Sequence, residues 1–219
     1  ATNADLNQAL VTAHESFNVW RNTVPDERAR IMKNAASLMR DRAEHIATLM
    51  TLEEGKPLVE SRDEVQRAAD YFEWFAEEAR RIDGRVVPAN RPGVQQLVKR
   101  QAIGPVAAFT PWNFPAITPA RKLSAALAAG CSVILKPGEE SPATALALAR
   151  CLDDAGLPKG VLQIVFGIPD KISAKLIASP IIRKVAFTGS VPVGRLLSER
   201  AAAGVKPISL ELGGHGPVL

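Results

Sequence analysis

Cysteine is nearly absent: Cys131 and Cys151 are the only two in 219 residues, each in an Ala/Leu-rich context with no Cys-x-x-Cys or histidine spacing. That excludes a disulfide framework and a readable zinc site, leaves packing as the ordinary role of both thiols, and makes a reducing, cytoplasmic compartment the expected setting. No apolar run approaches the roughly 20 residues that span a bilayer, and the start Ala1-Thr2-Asn3-Ala4-Asp5 has neither a charged nor an apolar leader region, so no membrane association is expected. Net charge is small too. The 27 Lys+Arg and 23 Asp+Glu leave +4, interleaved along the chain without the basic stripe that nucleic acid requires. Proline and glycine are dispersed, and there is no internal repeat or low-complexity tract. With 47% hydrophobic and 23% charged residues the composition is that of a folded protein, long enough for one large or two small domains at roughly 150 residues each.

From Ala4 to about Arg81 the pattern is helical. Leu6, Leu10, Ala13, Phe17 and Trp20 recur at steps of four and three, giving one core-facing stripe. Thr23-Val24-Pro25-Asp26 reads as a capped helix start, followed by an apolar face of Ile31, Ala35, Leu38, Ile46 and Leu49. Gly55-Lys56-Pro57 breaks the run, and a third helix from about Leu58 to Arg81 draws its bulk from Tyr71, Phe72, Trp74 and Phe75. Residues 85–101 carry a hairpin signature around Asn90-Arg91-Pro92-Gly93, with so little apolar surface that its faces should rest on something else, another subunit included. After Gly104, β-type runs at Val106–Thr110, Ser132–Lys136, Leu162–Phe166, Lys184–Thr188 and Ile208–Leu212 alternate with helical stretches. Alternation of this kind predicts an α/β fold, because parallel strands need crossover helices. The division expected is 1–84 helical, 85–101 hairpin and 102–219 parallel α/β.

In such sheets ligands bind at the carboxyl ends of the strands. The fourth run ends Thr188-Gly189-Ser190 and leads through Gly194 into a helix, a turn that presents free N–H groups to an anion such as a pyrophosphate. It is half of a phosphate loop, since Arg195-Leu196 replaces Lys-Ser/Thr, and it equally suits a plain βα turn. Lys136 and Glu139 end the second run; both suit ribose hydroxyls, and a carboxylate there disfavours a 2′-phosphate, although Glu139 or Ser141 could simply cap the helix at Pro142. Asn113, set between Pro111 and Pro115, suits a fixed donor to an oxyanion, or a turn. Glu211 lies in an otherwise apolar strand, where burial demands either an ion pair or a raised pKa fit for a general base. His14, His45 and His215 form no triad.

Taken in order, five blocks resemble the aldehyde dehydrogenase superfamily across nearly the whole chain: Glu54-Gly55-Lys56-Pro57, Pro111-Trp112-Asn113-Phe114-Pro115, Leu135-Lys136-Pro137 with Glu139, Phe187-Thr188-Gly189-Ser190 with Gly194, and Glu211-Leu212-Gly213-Gly214. The resemblance implies a Rossmann-like parallel sheet with helices on both faces, an NAD cofactor with NADP as the variant, and an aldehyde substrate. It also implies Asn113 as oxyanion donor, Glu211 as general base, Lys136 and Glu139 on the adenosine ribose, Ser190 on the pyrophosphate, and Thr110, Pro111, Trp112, Gly167, Gly194 and Leu212 around the cofactor. Arg121-Lys122 is similar to the pair in succinate-semialdehyde dehydrogenases, which implies that Arg121 grips the far carboxylate of the substrate. The hairpin resembles the family's oligomerisation element and implies a homo-oligomer. The family's nucleophilic cysteine follows the Glu-Leu-Gly-Gly block by a few tens of residues, so this chain is expected to be the cofactor-binding part without that thiol, inactive alone. A non-catalytic dinucleotide-binding module remains open; a nucleotide hydrolase is disfavoured by the missing phosphate-loop lysine.

Overall fold

The structure, a computed structural model, describes residues 1–216. Four helices lead: α1 (Asn3–Asn22), α2 (Pro25–Asp41), α3 (Ala43–Glu54) and α4 (Leu58–Ala79). Thr2 and Asp5 form a reciprocal capping box on α1, and its stripe of Leu6, Leu10, Ala13, Phe17 and Trp20 is buried as expected. Two local expectations are corrected. Thr23 does not cap α2; its hydroxyl donates back to the Val19 carbonyl, and Val24 sits at the N-cap position without a side-chain bond. The single apolar helix expected after Pro25 is two helices, bent at Arg42, whose guanidinium reaches Asp154 at 2.7 Å and anchors the bend.

Strands β1 (Arg85–Val87) and β2 (Gln96–Val98) pair antiparallel in register Arg85↔Val98, forming the expected hairpin, with Val86 and Leu97 exposed. The remaining elements are β3 (Val106–Phe109), α5 (Ile117–Ala128), β4 (Val133–Lys136), α6 (Pro142–Asp154), β5 (Leu162–Ile164), α7 (Pro169–Ala178), β6 (Lys184–Gly189), α8 (Val191–Ala203) and β7 (Ile208–Leu212). The last five strands make one parallel sheet in the order β5-β4-β3-β6-β7.

Side-chain alternation builds two cores. Val106, Ala108, Val133 and Leu135 pack on one face with α2 to α6, while Ala107, Phe109, Ile134, Val185 and Phe187 pack on the other with α1, α7 and α8. Both faces of the central strands are therefore buried, which is why β3 and β4 read as unbroken apolar runs. Trp20 crosses from α1 into the first core and donates its indole N–H to the Leu127 carbonyl at 2.9 Å. The chain leaves β3 toward β4 and β5, then returns through α7 to place β6 on the other side of β3. The order reverses between β3 and β6, opening a crevice at their carboxyl ends.

Candidate active site

The loop after β3 forms one wall of that crevice. Thr110 is buried, and its Oγ1 has no hydrogen-bond partner among the described residues. Trp112, Asn113 and Phe114 follow and are exposed. Their support comes from the turn after α3, where Gly55 adopts φ +81°, a left-handed conformation that glycine takes without strain. Lys56 donates to the Asn113 carbonyl at 3.0 Å, lies 4.2 Å from the Phe114 ring centre, pairs with Glu54 at 3.0 Å and also pairs with Glu64. Glu64 in turn accepts from the Ala116 and Ile117 amides at 2.9 and 3.0 Å. Burial opposes the charge on Lys56, but Glu64 and Glu54 together hold its pKa above the ordinary lysine value; burial pushes the Glu54 carboxyl up. The Glu54-Gly55-Lys56-Pro57 block thus fixes the backbone that carries Asn113.

The ends of β6 and β7 supply a second wall. Lys122 Nζ donates to Thr188 Oγ1 at 2.5 Å, Thr188 donates to Glu211 Oε2 at 2.8 Å, and Arg121 Nη1 donates to Glu211 Oε1 at 2.5 Å. Arg121 Nε also donates to the Tyr71 hydroxyl at 2.9 Å. Burial lowers the Lys122 pKa, with the Glu211 charge opposing. Glu211 itself corrects an expectation: β7 is the outer strand among the described residues, and the side chain is 46% exposed and ion-paired instead of buried.

Along the same sheet edge Lys136, almost fully buried, pairs with Glu139 at 2.5 Å and donates to the Pro137 carbonyl at 2.9 Å. Glu139 accepts from the Gly167 amide at 3.4 Å, at a φ of +135° that a side chain would strain. A Cβ on Gly138 would lie 2.9 Å from the Trp112 Cα, so this loop presses on the Asn113 loop. Ser190 is the N-cap of α8 with no side-chain cap, leaving first-turn amides open to a ligand. Gly194 faces Leu212, where a Cβ would meet its side chain at 2.6 Å. Neither Ser141 nor Glu139 caps α6. That role falls to Glu53, which accepts from the amides of Ala143 and Thr144 and from the Thr144 hydroxyl.

A cavity of about 1150 Å³ brings together Pro111, Trp112, Asn113, Arg121, Ser190, Glu211 and Leu212. Lys136, Glu139 and Gly167 make a separate cluster farther along the edge, with Thr110 beneath the loop and Gly194 within α8. Sequence reasoning assigned no site role to the α4 wall. Arg67, Asp70, Tyr71, Trp74 and Phe75 recur at steps of three and four and line the cavity from one helix face, and Trp74 is 64% exposed instead of supplying core bulk. An aromatic cluster on an otherwise charged helix face was the available signal.

The model of the aldehyde dehydrogenase family matches residues 1–219. The 4-(hydroxymethyl)benzenesulfonate dehydrogenase TsaD1 of Comamonas testosteroni is 51% identical over 98% of this chain and 45% of its own length. The NADP(+) succinate-semialdehyde dehydrogenase GabD of Escherichia coli is 44% identical over 96% of this chain and 44% of its own. A crystal structure of an NAD-dependent aldehyde dehydrogenase from Sinorhizobium meliloti superposes with a TM-score of 0.96 at 38% identity, over 99% of this chain and 44% of that one. The chain spans less than half the length of these relatives, and it belongs to the aldehyde dehydrogenase family.

Proposed function

We propose that this chain supplies the NAD(P)-binding part of an enzyme that oxidises an aldehyde with an anionic far end, succinate semialdehyde being the simplest case, to its carboxylic acid. The observation that carries this reading is the convergence of Asn113, Ser190, Arg121 and Glu211 on one cavity at the strand-order reversal. The residues present suit a dinucleotide: Thr110 offers an orphaned buried hydroxyl, α8 an uncapped N-terminus, and Lys136 with Glu139 a donor and an acceptor for a ribose. Glu139 disfavours a 2′-phosphate, so NAD is the cofactor proposed, with NADP as the variant. When bound, the nicotinamide supplies the two-electron acceptor.

The chain's own groups then divide the work. Asn113 donates to the developing oxyanion from a loop fixed by Lys56. Glu211 takes a proton from the deacylating water, with Thr188 holding one of its oxygens. Arg121 takes the substrate's anionic end, in keeping with relatives named for a benzenesulfonate and a semialdehyde of succinate. Cys131 and Cys151 are buried and their thiols are pushed up by that burial, so neither serves as the nucleophile. The exposed hairpin would join copies into a homo-oligomer, and two free thiols suit the cytoplasm. Among the described residues no helix is long and apolar enough to cross a membrane.

Calorimetric titration tests the reading. Saturable binding of NAD+, tighter than NADP+, with no NADH formed from added aldehyde, is expected; failure to bind either dinucleotide, or thiol-dependent NADH production by these 219 residues, overturns it.

A further inference from the structure

Aromatic residues are 5% of the chain, yet five of them, Tyr71, Trp74, Phe75, Trp112 and Phe114, line one cavity together with Arg121 and Glu211. Three of these rings lie open: Trp74 is 64% exposed, Trp112 49% and Phe114 47%. They come from two independent elements, the α4 face and the β3–α5 loop, so they border the space from different sides. Ring surface left to water around one space gains most from a flat, apolar guest that stacks on it or meets it edge-on; a short flexible chain covers far less of it and loses more rotational freedom.

The charged groups at the cavity set the guest's other end. Arg67 is paired with Asp63, and Asp70 with Arg40, each at 2.8 Å. Arg121 is held by Tyr71 through Nε and by Glu211 through Nη1, while its Nη2 makes no hydrogen bond among the described residues. Its guanidinium carbon lies 5.3 Å from the Tyr71 ring centre, which fixes the plane of the fork beside an aromatic wall. A fixed planar donor with a free edge, set among aromatic rings, suits a sulfonate or carboxylate carried on a ring.

Resting on the function proposed above, we propose that this cavity takes an aromatic aldehyde with an anionic substituent on its ring, in preference to an aliphatic semialdehyde. The ring lies among Trp74, Phe114 and Tyr71, and the anion meets Arg121 Nη2.

The test uses the chain as it is, with indole N–H resonances of Trp74 and Trp112 followed by NMR. Titrants are 4-sulfobenzaldehyde, 4-formylbenzoate, uncharged benzaldehyde and succinate semialdehyde. Both aryl anions are expected to shift both indoles saturably and to bind about tenfold more tightly than either control, while Arg121→Gln removes about tenfold from the aryl anions and leaves benzaldehyde unchanged. Trp74→Ala, at a position too exposed to threaten folding, is expected to weaken both aryl anions. Absence of shifts, equal affinity for succinate semialdehyde, or indifference to Arg121→Gln overturns the proposal. NAD+ added to a separate sample reports on the Gly167 and Gly189 amides, so a failed substrate class is told apart from a failed dinucleotide reading.

Discussion

The guanidinium of Arg121 and the carboxylate of Glu211, set on α5 and β7, meet at 2.5 Å on the wall of the cavity that Asn113 and Ser190 also line. Both side chains are nearly half exposed, at 43% and 46%, so water screens the pair and competes for both partners. Removing it with Arg121→Gln is expected to change unfolding free energy in urea by less than about 1 kcal/mol, well below its effect on anion binding. A loss several times larger would mean that the pair holds the fold together instead of serving the cavity.

Lys56 is the opposite case. Its side chain is 11% exposed and its two carboxylate partners 4%, so Lys56→Met leaves Glu54 and Glu64 buried without a counter-charge. A loss of about 3 kcal/mol or more is expected from urea denaturation at neutral pH. Burial raises the Glu54 carboxyl above its ordinary value near 4.5, with Lys56 opposing, so the folded chain keeps a proton there that the unfolded chain releases. The contribution of Glu54 to stability therefore falls as pH rises from about 4.5 through the folded value, and Glu54→Gln should flatten that slope. A slope unchanged by the substitution would assign it to another group.

Thr110 carries a buried hydroxyl without a partner. Thr110→Val removes an unsatisfied polar group at constant shape, so stability is expected to stay level or rise by up to about 1 kcal/mol. NAD+ affinity measured by calorimetry should fall severalfold in the same variant. Unchanged affinity would leave the hydroxyl without a cofactor role.

Glu53 satisfies the first amides of α6 from another helix. Glu53→Ala should cost about 1–2 kcal/mol, as loss of an N-cap does, and Glu53→Gln should recover part of it because an amide oxygen still accepts. Thermal or urea unfolding reads both; equal losses in the two variants would point to charge alone.

Much of this was legible in the chain. Strand positions followed from apolar runs at Val106, Val133 and Lys184, because strands buried on both faces admit little else. The α1 stripe and the hairpin were equally plain, since Leu6 to Trp20 keep helical spacing and Asn90 to Gly93 spell a turn. Partners distant in sequence were not. That Lys56 underpins Asn113, that Glu53 caps α6, and that Arg42 rather than a glycine bends α2 into α3 all depend on tertiary placement that spacing does not encode. Glu211 shows a different limit: an Ile-Ser-Leu-Glu-Leu strand reads as buried, but its place at the outer side of the described sheet leaves the carboxylate in water. Trp74 misled for the same reason, as a large ring on a helix is taken for core until its neighbours are known.

The indole of Trp20, hydrogen-bonded to a carbonyl 107 residues away, is one of several ties that stitch the leading helices to the α/β portion, with Arg42 to Asp154 and Lys56 to Asn113 as others. Melting α1 to α4 would open both cores at once, because α2 to α4 pack on α5 and α6 in one and α1 packs against the sheet in the other, so neither portion has a stable intermediate to stop at. Heat should therefore take the molecule apart in one calorimetric step, and a protease that nicks the leading helices should release no resistant remnant.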